Sequence, residues 1–472
     1  MNLNYQYQKE GVNGKITLTI NKGEFLEKYE KILNEYLPKI QIKGFRPGKA
    51  PKTLVEAKYG NSLKYETFKE LISESYNEIL KKENITPINE PEVDFDNKEL
   101  DLNKDINVTC KFELPAEAKI CDLKEIKISY DKFEVSEKDV ENELKAYQKN
   151  YSTLELKETP SSNGDYININ LQIFDENNNK IKELPEYTLI IGDNFLKLNI
   201  DEDLINLKKG DKKEIIKDYT NADNNIDNEF KGKKVKIVLS VNEVKERKYP
   251  ELDDNFAKDY SEFQTLNDWK NEIKAQLERY AKDFEKNYNL RKIYDAIIEK
   301  SEFLIPETYI KIGINRAFES YKKQFNITDD VFNKLLNLSG REKEGFIYSF
   351  RPSTIKDIQI ELIQLEFLKK IEPKVDENDY KEFIKEEALK TKKSSEEIEK
   401  EVNKYKRDVE FFIKLRKIEN YLLENVSKVE GKTYHLEDIN KLIEERNKEE
   451  DKKTQKAYEE WLNLNKNDEN IT

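Results

Sequence analysis

The sequence predicts a multidomain α+β chain whose second half is an elongated all-α region. Three observations predict it. Within residues 1–114, alternating apolar residues mark strands on both sides of two amphipathic helices. A second strand-rich stretch runs from Gly164 to Val244. From Tyr249 onward the apolar residues recur at three- and four-residue steps. Composition agrees: 36% hydrophobic against 38% charged residues suits several small cores better than one large one.

The first region opens with a hairpin. Residues 3–9 and 14–21 alternate around the turn Glu10-Gly11-Val12-Asn13. A helix starts near Glu24, with apolar Phe25, Leu26, Tyr29, Ile32, Leu33, Tyr36 and Leu37 falling mostly at three- and four-residue steps, and Pro38 is expected to end or kink it. Pro51 suits the first turn of the next helix. Gly60-Asn61 is expected to interrupt it before a longer helix runs to about Lys82. Strands return at 92–96 and 104–114.

Between the two helices lies Lys43 to Lys52, KGFRPGKAPK. It holds Lys43, Arg46, Lys49 and Lys52 and no acid, in a chain of net charge −13. Gly44, Gly48, Pro47 and Pro51 keep it from being continuous helix. It reads as a basic loop at the tip of a helix pair, with Phe45 held where its ring enters a partner's groove. The competing reading is an ordinary helix connection that happens to be basic. Spacing alone does not separate the two.

Further on, a strand is expected at Ile126–Tyr130, then a helix capped by Ser136, with Val140, Leu144, Tyr147 and Tyr151 as its stripe. Strands follow at Tyr166–Ile173, Leu184–Ile191, Lys212–Lys217 and Lys234–Val244, with a short helix near Asp201–Leu207. The helical half begins after Tyr249-Pro250-Glu251-Leu252. Trp269, Ile273, Leu277, Tyr280, Phe284 and Tyr288 form one stripe of a long helix. Phe303 to Glu307 breaks it. Further helices are expected over Thr308–Phe325, Ile355–Ile371, Tyr380–Leu389 and Ser395–Val426. The last stretch, from Asn440, is highly charged and reads as a solvated helix or tail.

Several function classes are excluded. The acidic balance argues against DNA and general RNA binding, although a local basic patch still suits docking on RNA. No apolar run of about 18 residues predicts a membrane span, and the start of the chain lacks the pattern of a secretory signal. A cytoplasmic chain is expected, with Cys110 and Cys121 as free thiols. With His435 alone, histidine metal sites and His-based triads are excluded. No Walker loop, paired CxxC or GxSxG is present. No metal, no cofactor and no catalytic residue is assigned, and binding is the remaining mechanism. Trp269, Tyr280, Phe318, Tyr321 and Phe332 are candidate contacts for unfolded segments, or else helix-packing core.

The run Gly44-Phe45-Arg46-Pro47-Gly48-Lys49-Ala50-Pro51 resembles the signature of the trigger factor family, the ribosome-associated bacterial chaperones. The resemblance continues through Tyr59-Gly60 and Pro87 to Pro91. It implies a ribosome-binding domain over 1–114, a connector over 115–160 and an FK506-binding-protein-like prolyl isomerase-type domain over 161–248. A helical chaperone domain with arms over 249–435 and a charged tail over 436–472 complete it. The implied partners are the large ribosomal subunit near the exit tunnel and nascent or unfolded polypeptides. A homodimer off the ribosome is a further implied partner. The alternatives are a free cytosolic holdase, favoured if the loop is buried in a dimer, or an active prolyl isomerase without stable ribosome docking.

The resemblance implies ribosome contact at Gly44, Phe45, Arg46, Pro47, Gly48 and Lys49. Phe45 and Arg46 match two members of the family's contact triplet, and Pro47 stands at the third, where Lys is common. The isomerase site departs further. The family usually has Ile-Pro-Gly-Phe-Glu where this chain has Lys197-Leu198-Asn199-Ile200-Asp201. Leu171 stands where an aromatic residue is usual, Ile200 replaces the Phe, and Tyr187 is the retained pocket candidate. The expectation is a retained fold with a weakened or lost isomerase site, the active isomerase being the alternative.

Overall fold

The computed structural model describes residues 4–46, 48–96, 100–101, 103–220, 226–391 and 393–469. The chain divides into two compact units, one of residues 1–132, 285–432 and 439–472, the other of 133–284 and 433–438.

The first unit begins with β1 (Asn4–Glu10) and β2 (Asn13–Ile20), then α1 (Lys22–Tyr36), α2 (Lys52–Lys82), β3 (Glu92–Phe95) and β4 (Ile106–Glu113). The strands form an antiparallel sheet in the order β1-β2-β4-β3. Period-2 burial puts Ile16, Leu18 and Ile20 of β2 and Ile106, Val108, Cys110 and Phe112 of β4 on one face. The side of α2 carrying Phe68, Leu71, Ile72, Tyr76 and Ile79 covers that face. One expectation is corrected here: Gly60 does not interrupt α2, which runs unbroken for 31 residues. Gly60 is buried 3.5 Å, measured from its would-be Cβ, from the Tyr29 hydroxyl of α1. A helical glycine costs only about 1 kcal/mol relative to Ala, too little to break a helix of this length whose other face is buried. Pro51 also sits one place earlier than expected, as the N-cap residue.

Next come β5 (Glu117–Lys119) and β6 (Lys127–Glu134), then α3 (Glu137–Asn150), whose Ser136 cap makes a full capping box with Asp139. β7 (Thr153–Leu156), β8 (Tyr166–Phe174), β9 (Lys180–Ile190), β10 (Lys212–Asp218) and β11 (Lys234–Lys248) belong to the second unit. They form a five-stranded antiparallel sheet ordered β10-β11-β8-β9, with β7 paired to the far end of β11. A single 3₁₀ turn, Asp201–Leu204, takes the place of the expected short helix. β8 and β11 each bury alternate residues, among them Ile167, Ile169, Leu171 and Ile173 facing Ile237, Leu239 and Val241.

α4 (Asp254–Tyr260) and the start of α5 (Leu266–Lys300) close this unit around Val140, Leu144, Phe256, Trp269 and Ile273. β12 (Glu302–Leu304) then pairs with β5, followed by α6 (Glu307–Gln324), α7 (Asp329–Ser339), α8 (Lys343–Tyr348) and α9 (Arg351–Ile371). α10 (Glu377–Thr391), α11 (Ser395–Lys404), α12 (Lys406–Asn425), β13 (Ser427–His435) and α13 (Leu436–Glu469) complete the chain. The helical core of the first unit joins Leu290, Ile293 and Ile297 of α5 with Ile363 and Phe367 of α9 and Ile418 and Leu422 of α12.

Three other expectations are corrected. The single helix over Ser395–Val426 is two helices broken at Tyr405, which lets Ile398 and Val402 fold back onto the same small core as Val409 and Ile413. α7 was not foreseen; its Thr328 cap accepts from the Val331 amide, and Gly340 ends it in the left-handed conformation. The charged tail is not simply solvated: α13 buries Ile439, Ala457 and Tyr458.

Two polar contacts hold the start of α6. Both carboxylate oxygens of Glu113 accept the amides of Glu307 and Thr308 at 3.0 Å, a cap supplied from β4 to a helix led by Pro306. Arg351 donates to both oxygens of Glu307 at 2.5 and 2.8 Å and holds that carboxyl below its ordinary range.

Candidate functional site

The loop between α1 and α2 is anchored from beneath and free above. Ile42 is buried among Tyr29, Ile32 and Leu33 of α1 and Val55 and Leu63 of α2, with Ile40 and Ala50 packed alongside. The backbone is tied across its neck, where the Gly48 amide donates to the Ile40 carbonyl at 3.3 Å. The Phe45 amide donates to Ile42 and the Lys49 amide to Arg46, at 3.0 and 2.9 Å. Gly48 has φ +74°, and a Cβ there would lie 2.9 Å from the Pro38 carbonyl oxygen. Both facts require glycine, because only it combines that φ with so close a backbone approach.

Above this base the functional groups point outward. Phe45 is 42% exposed, and Lys43, Gly44, Arg46 and Lys49 are exposed. Lys52 lies 3.7 Å from Glu30. Among the described residues, no acid pairs with Lys43, Arg46 or Lys49. Pro47 lies outside the described residues. The site is a preordered turn offering one aromatic ring among unpaired cations, suited to an anionic surface with a crevice for the ring.

The isomerase candidates are placed differently. Leu171 pairs across the sheet with Leu184 and Leu239 and is 0% exposed. Ile200, just before the 3₁₀ turn, is 3% exposed. Tyr187 is half-buried against the same core. Lys197 has φ +49° and stands exposed beside Phe195, so its charge is not inside the domain. Tyr219 donates a hydrogen bond to the Leu198 carbonyl, and burial pushes its hydroxyl up to about 12. Leu171 and Ile200 therefore do the work of core residues.

The candidate client contacts divide in the same way. Trp269, Phe318 and Phe332 are buried: Trp269 stacks on Phe256, and Phe318 and Phe332 pack edge to face. Tyr280 is exposed and Tyr321 half-buried. The exposed apolar stripe missed from sequence is Val331, Leu335 and Leu338 on α7, with Phe325 nearby in sequence. Its i, i+4, i+7 spacing was the available signal. Among the described residues no helix is long and apolar enough to cross a membrane, and no group of three or more His, Cys, Asp or Glu is placed to hold a metal ion.

A small α+β module bearing a basic loop, joined in one unit to packed helices with exposed apolar stripes, has the makings of a docking and polypeptide-binding protein. Residues 1–147 match the family described as bacterial trigger factor protein, and residues 265–424 match the C-terminal part of that family. A trigger factor of Borrelia hermsii is 27% identical over 432 residues, 89% of this chain and 94% of that protein. Trigger factors of Treponema denticola and Caldicellulosiruptor saccharolyticus are 28% and 29% identical, over 74% and 78% of this chain and 79% and 84% of theirs. A solved structure concerned with promiscuous substrate recognition by the trigger factor chaperone covers 90% of this chain and 99% of its own, at 22% identity and a TM-score of 0.45. The chain belongs to the trigger factor family, ribosome-associated chaperones that act in protein folding.

Proposed function

We propose that Gly44, Phe45, Arg46, Pro47, Gly48 and Lys49 are this chain's ribosome contact, docking it on the large subunit near the exit tunnel. The observation that carries this is the pairing of a buried, hydrogen-bonded neck with unpaired exposed Lys43, Arg46 and Lys49. The cations meet RNA phosphate, and their contribution falls as salt rises. Phe45 supplies an apolar anchor that salt does not screen. Nascent segments leaving the tunnel are held by exposed apolar faces such as the α7 stripe, through scattered contacts that exchange readily.

Replacing Phe45, Arg46 and Lys49 together by Ala is expected to abolish salt-sensitive co-sedimentation with ribosomes while leaving the circular dichroism spectrum unchanged. Unchanged co-sedimentation would refute the docking assignment and favour the free holdase.

For the second unit, the reading is an isomerase-type fold with weak or no isomerase activity. Burial of Leu171 and Ile200 supports it, since a prolyl site must present apolar walls to an X–Pro bond and desolvate it. A proline-peptide assay on the full chain is expected to give a rate close to that of buffer. A rate well above it that falls on Tyr187→Ala would restore the active enzyme.

A further inference from the structure

α13 is seated near its two ends and spans the interval between them. Ile439 is buried near its start, and Ala457 and Tyr458 are buried near its far end. From Glu444 to Lys456 every residue except Thr454 is exposed. A helix so exposed along its middle gains little from burial there.

Beneath that span lies a cleft of about 710 Å³. Away from α13 its lining is mixed: Leu290, Tyr294, Tyr321, Phe350, Pro352 and Ile360 give an apolar, partly aromatic strip, and Asn287, Arg291, Ser349, Ser353, Lys356 and Asp357 give a polar margin. Its α13 side is polar: Glu450, Asp451, Lys453 and Thr454. An aromatic-lined space of this size has the dimensions of a ligand pocket, yet the helix over it offers no apolar group to fill it. The lining also continues outward, because the Tyr321 ring packs on Phe325, which is largely exposed, with centroids 4.9 Å apart.

The polar fastenings lie near the surface, and one of them is the Arg341 guanidinium donating to the Gln455 side chain at 2.9 Å. Arg291 pairs with Glu450 at 2.6 Å in a largely solvated position, worth about 1 kcal/mol at most. At the far end the Tyr458 hydroxyl accepts the Glu342 amide at 3.1 Å, and the Arg341 guanidinium lies 5.3 Å from the centre of the same ring. Tyr458 and Trp461 press onto Gly345 of α8, where a Cβ would stand 2.6 Å from both rings. Gly345 is the seat of the whole end.

We propose that α13 is a displaceable strap over a cleft with an aromatic strip, and that an apolar segment of an unfolded polypeptide competes with it for that strip. The strap keeps an aromatic surface out of water when no client is present. It comes away without unfolding the rest because so little of it is buried. The polypeptide half of the proposal rests on the chaperone activity of the family; the strap half does not.

The test uses the full chain with Gly345→Ala. Alanine favours α8 locally, by about 1 kcal/mol, but its methyl group wedges Tyr458 and Trp461 away. Hydrogen exchange of the amides at 439–462 is expected to speed up about tenfold, while α5 and α8 stay protected. Fluorescence of 1-anilinonaphthalene-8-sulfonate should rise. Affinity for a reduced, permanently unfolded polypeptide should rise several-fold. Tyr458→Ala with Trp461→Ala should do the same without a wedge. Unchanged exchange in both variants would overturn the strap. Freed α13 with unchanged dye fluorescence or unchanged polypeptide affinity would overturn the masked client surface. Failure of the family's activity would show separately, as absence of polypeptide binding by wild type and variants alike while exchange and dye still respond.

Discussion

The basic loop and the five-stranded sheet of the second unit each carry a short motif, and the structure treats the two in opposite ways. In the loop, Phe45, Arg46 and Lys49 are exposed while Ile42 and Ala50 carry the packing. In the sheet, Leu171 and Ile200 carry the packing themselves. The loop gives packing and exposure to different residues; the sheet has its motif positions in the core. Charged groups do not serve as core, so a basic run in an acidic chain has few readings besides a contact. An apolar residue serves core and pocket equally well, and its type alone does not tell them apart.

This contrast makes substitutions behave differently in the two places. The largest effect is expected from Leu171→Ala. It leaves a cavity in the middle of the second sheet and should cost about 2–5 kcal/mol, seen as faster hydrogen exchange in β8, with ribosome co-sedimentation unchanged. Reduced co-sedimentation would break the separation drawn above. Ile42→Ala should cost about 2 kcal/mol in the first unit and also weaken ribosome binding, because the loop loses its anchor although no contacting group is touched. Gly48→Ala comes next, at about 1–2 kcal/mol from the positive φ and the crowded Pro38 backbone. Weakened co-sedimentation together with a small drop in melting temperature is the expected signature; intact binding would mean that the turn tolerates reshaping.

The last effect vanishes at neutral pH and is a pH dependence. Burial pushes the Cys110 thiol up from 9.0 to about 11. A raised value means that the folded chain keeps the proton that the unfolded chain loses first. The contribution is whole below pH 9 and is lost as pH rises toward 11. Cys110→Ala should flatten the alkaline decline in first-unit stability, read from urea unfolding at several pH values.

Much of the fold was legible because it rests on local chemistry. The hairpin around Gly11, the capping box at Ser136, the alternation of β8 and the stripe of α5 all follow from turn, cap and period rules. The strands β5, β7, β12 and β13 were not legible. Each pairs with a partner remote in sequence; β5, β7 and β12 have three or four residues, too few for alternation to register, and the nine residues of β13 are mostly exposed, so no apolar period marks them. The break at Tyr405 was hidden for a related reason: no Gly or Pro marks it, and it exists so that α11 folds back toward α10 and α12. Gly60 misled in the other direction: a residue that often breaks helices sits inside α2 without interrupting it, because one helical glycine costs only about 1 kcal/mol.

By itself the sequence determined the α+β beginning, the helical second half and a basic loop between two helices. These depend on residue type and spacing over a few turns. The tertiary structure alone decided which apolar residues face water and which face one another. It buried Leu171, Ile200, Trp269 and Phe318, left the α7 stripe open, and laid α13 across a cleft of mixed lining instead of releasing it as a tail. The physical reason is that the hydrophobic effect is non-directional. It requires apolar surface to be covered, but the long-range arrangement of the chain chooses what covers it.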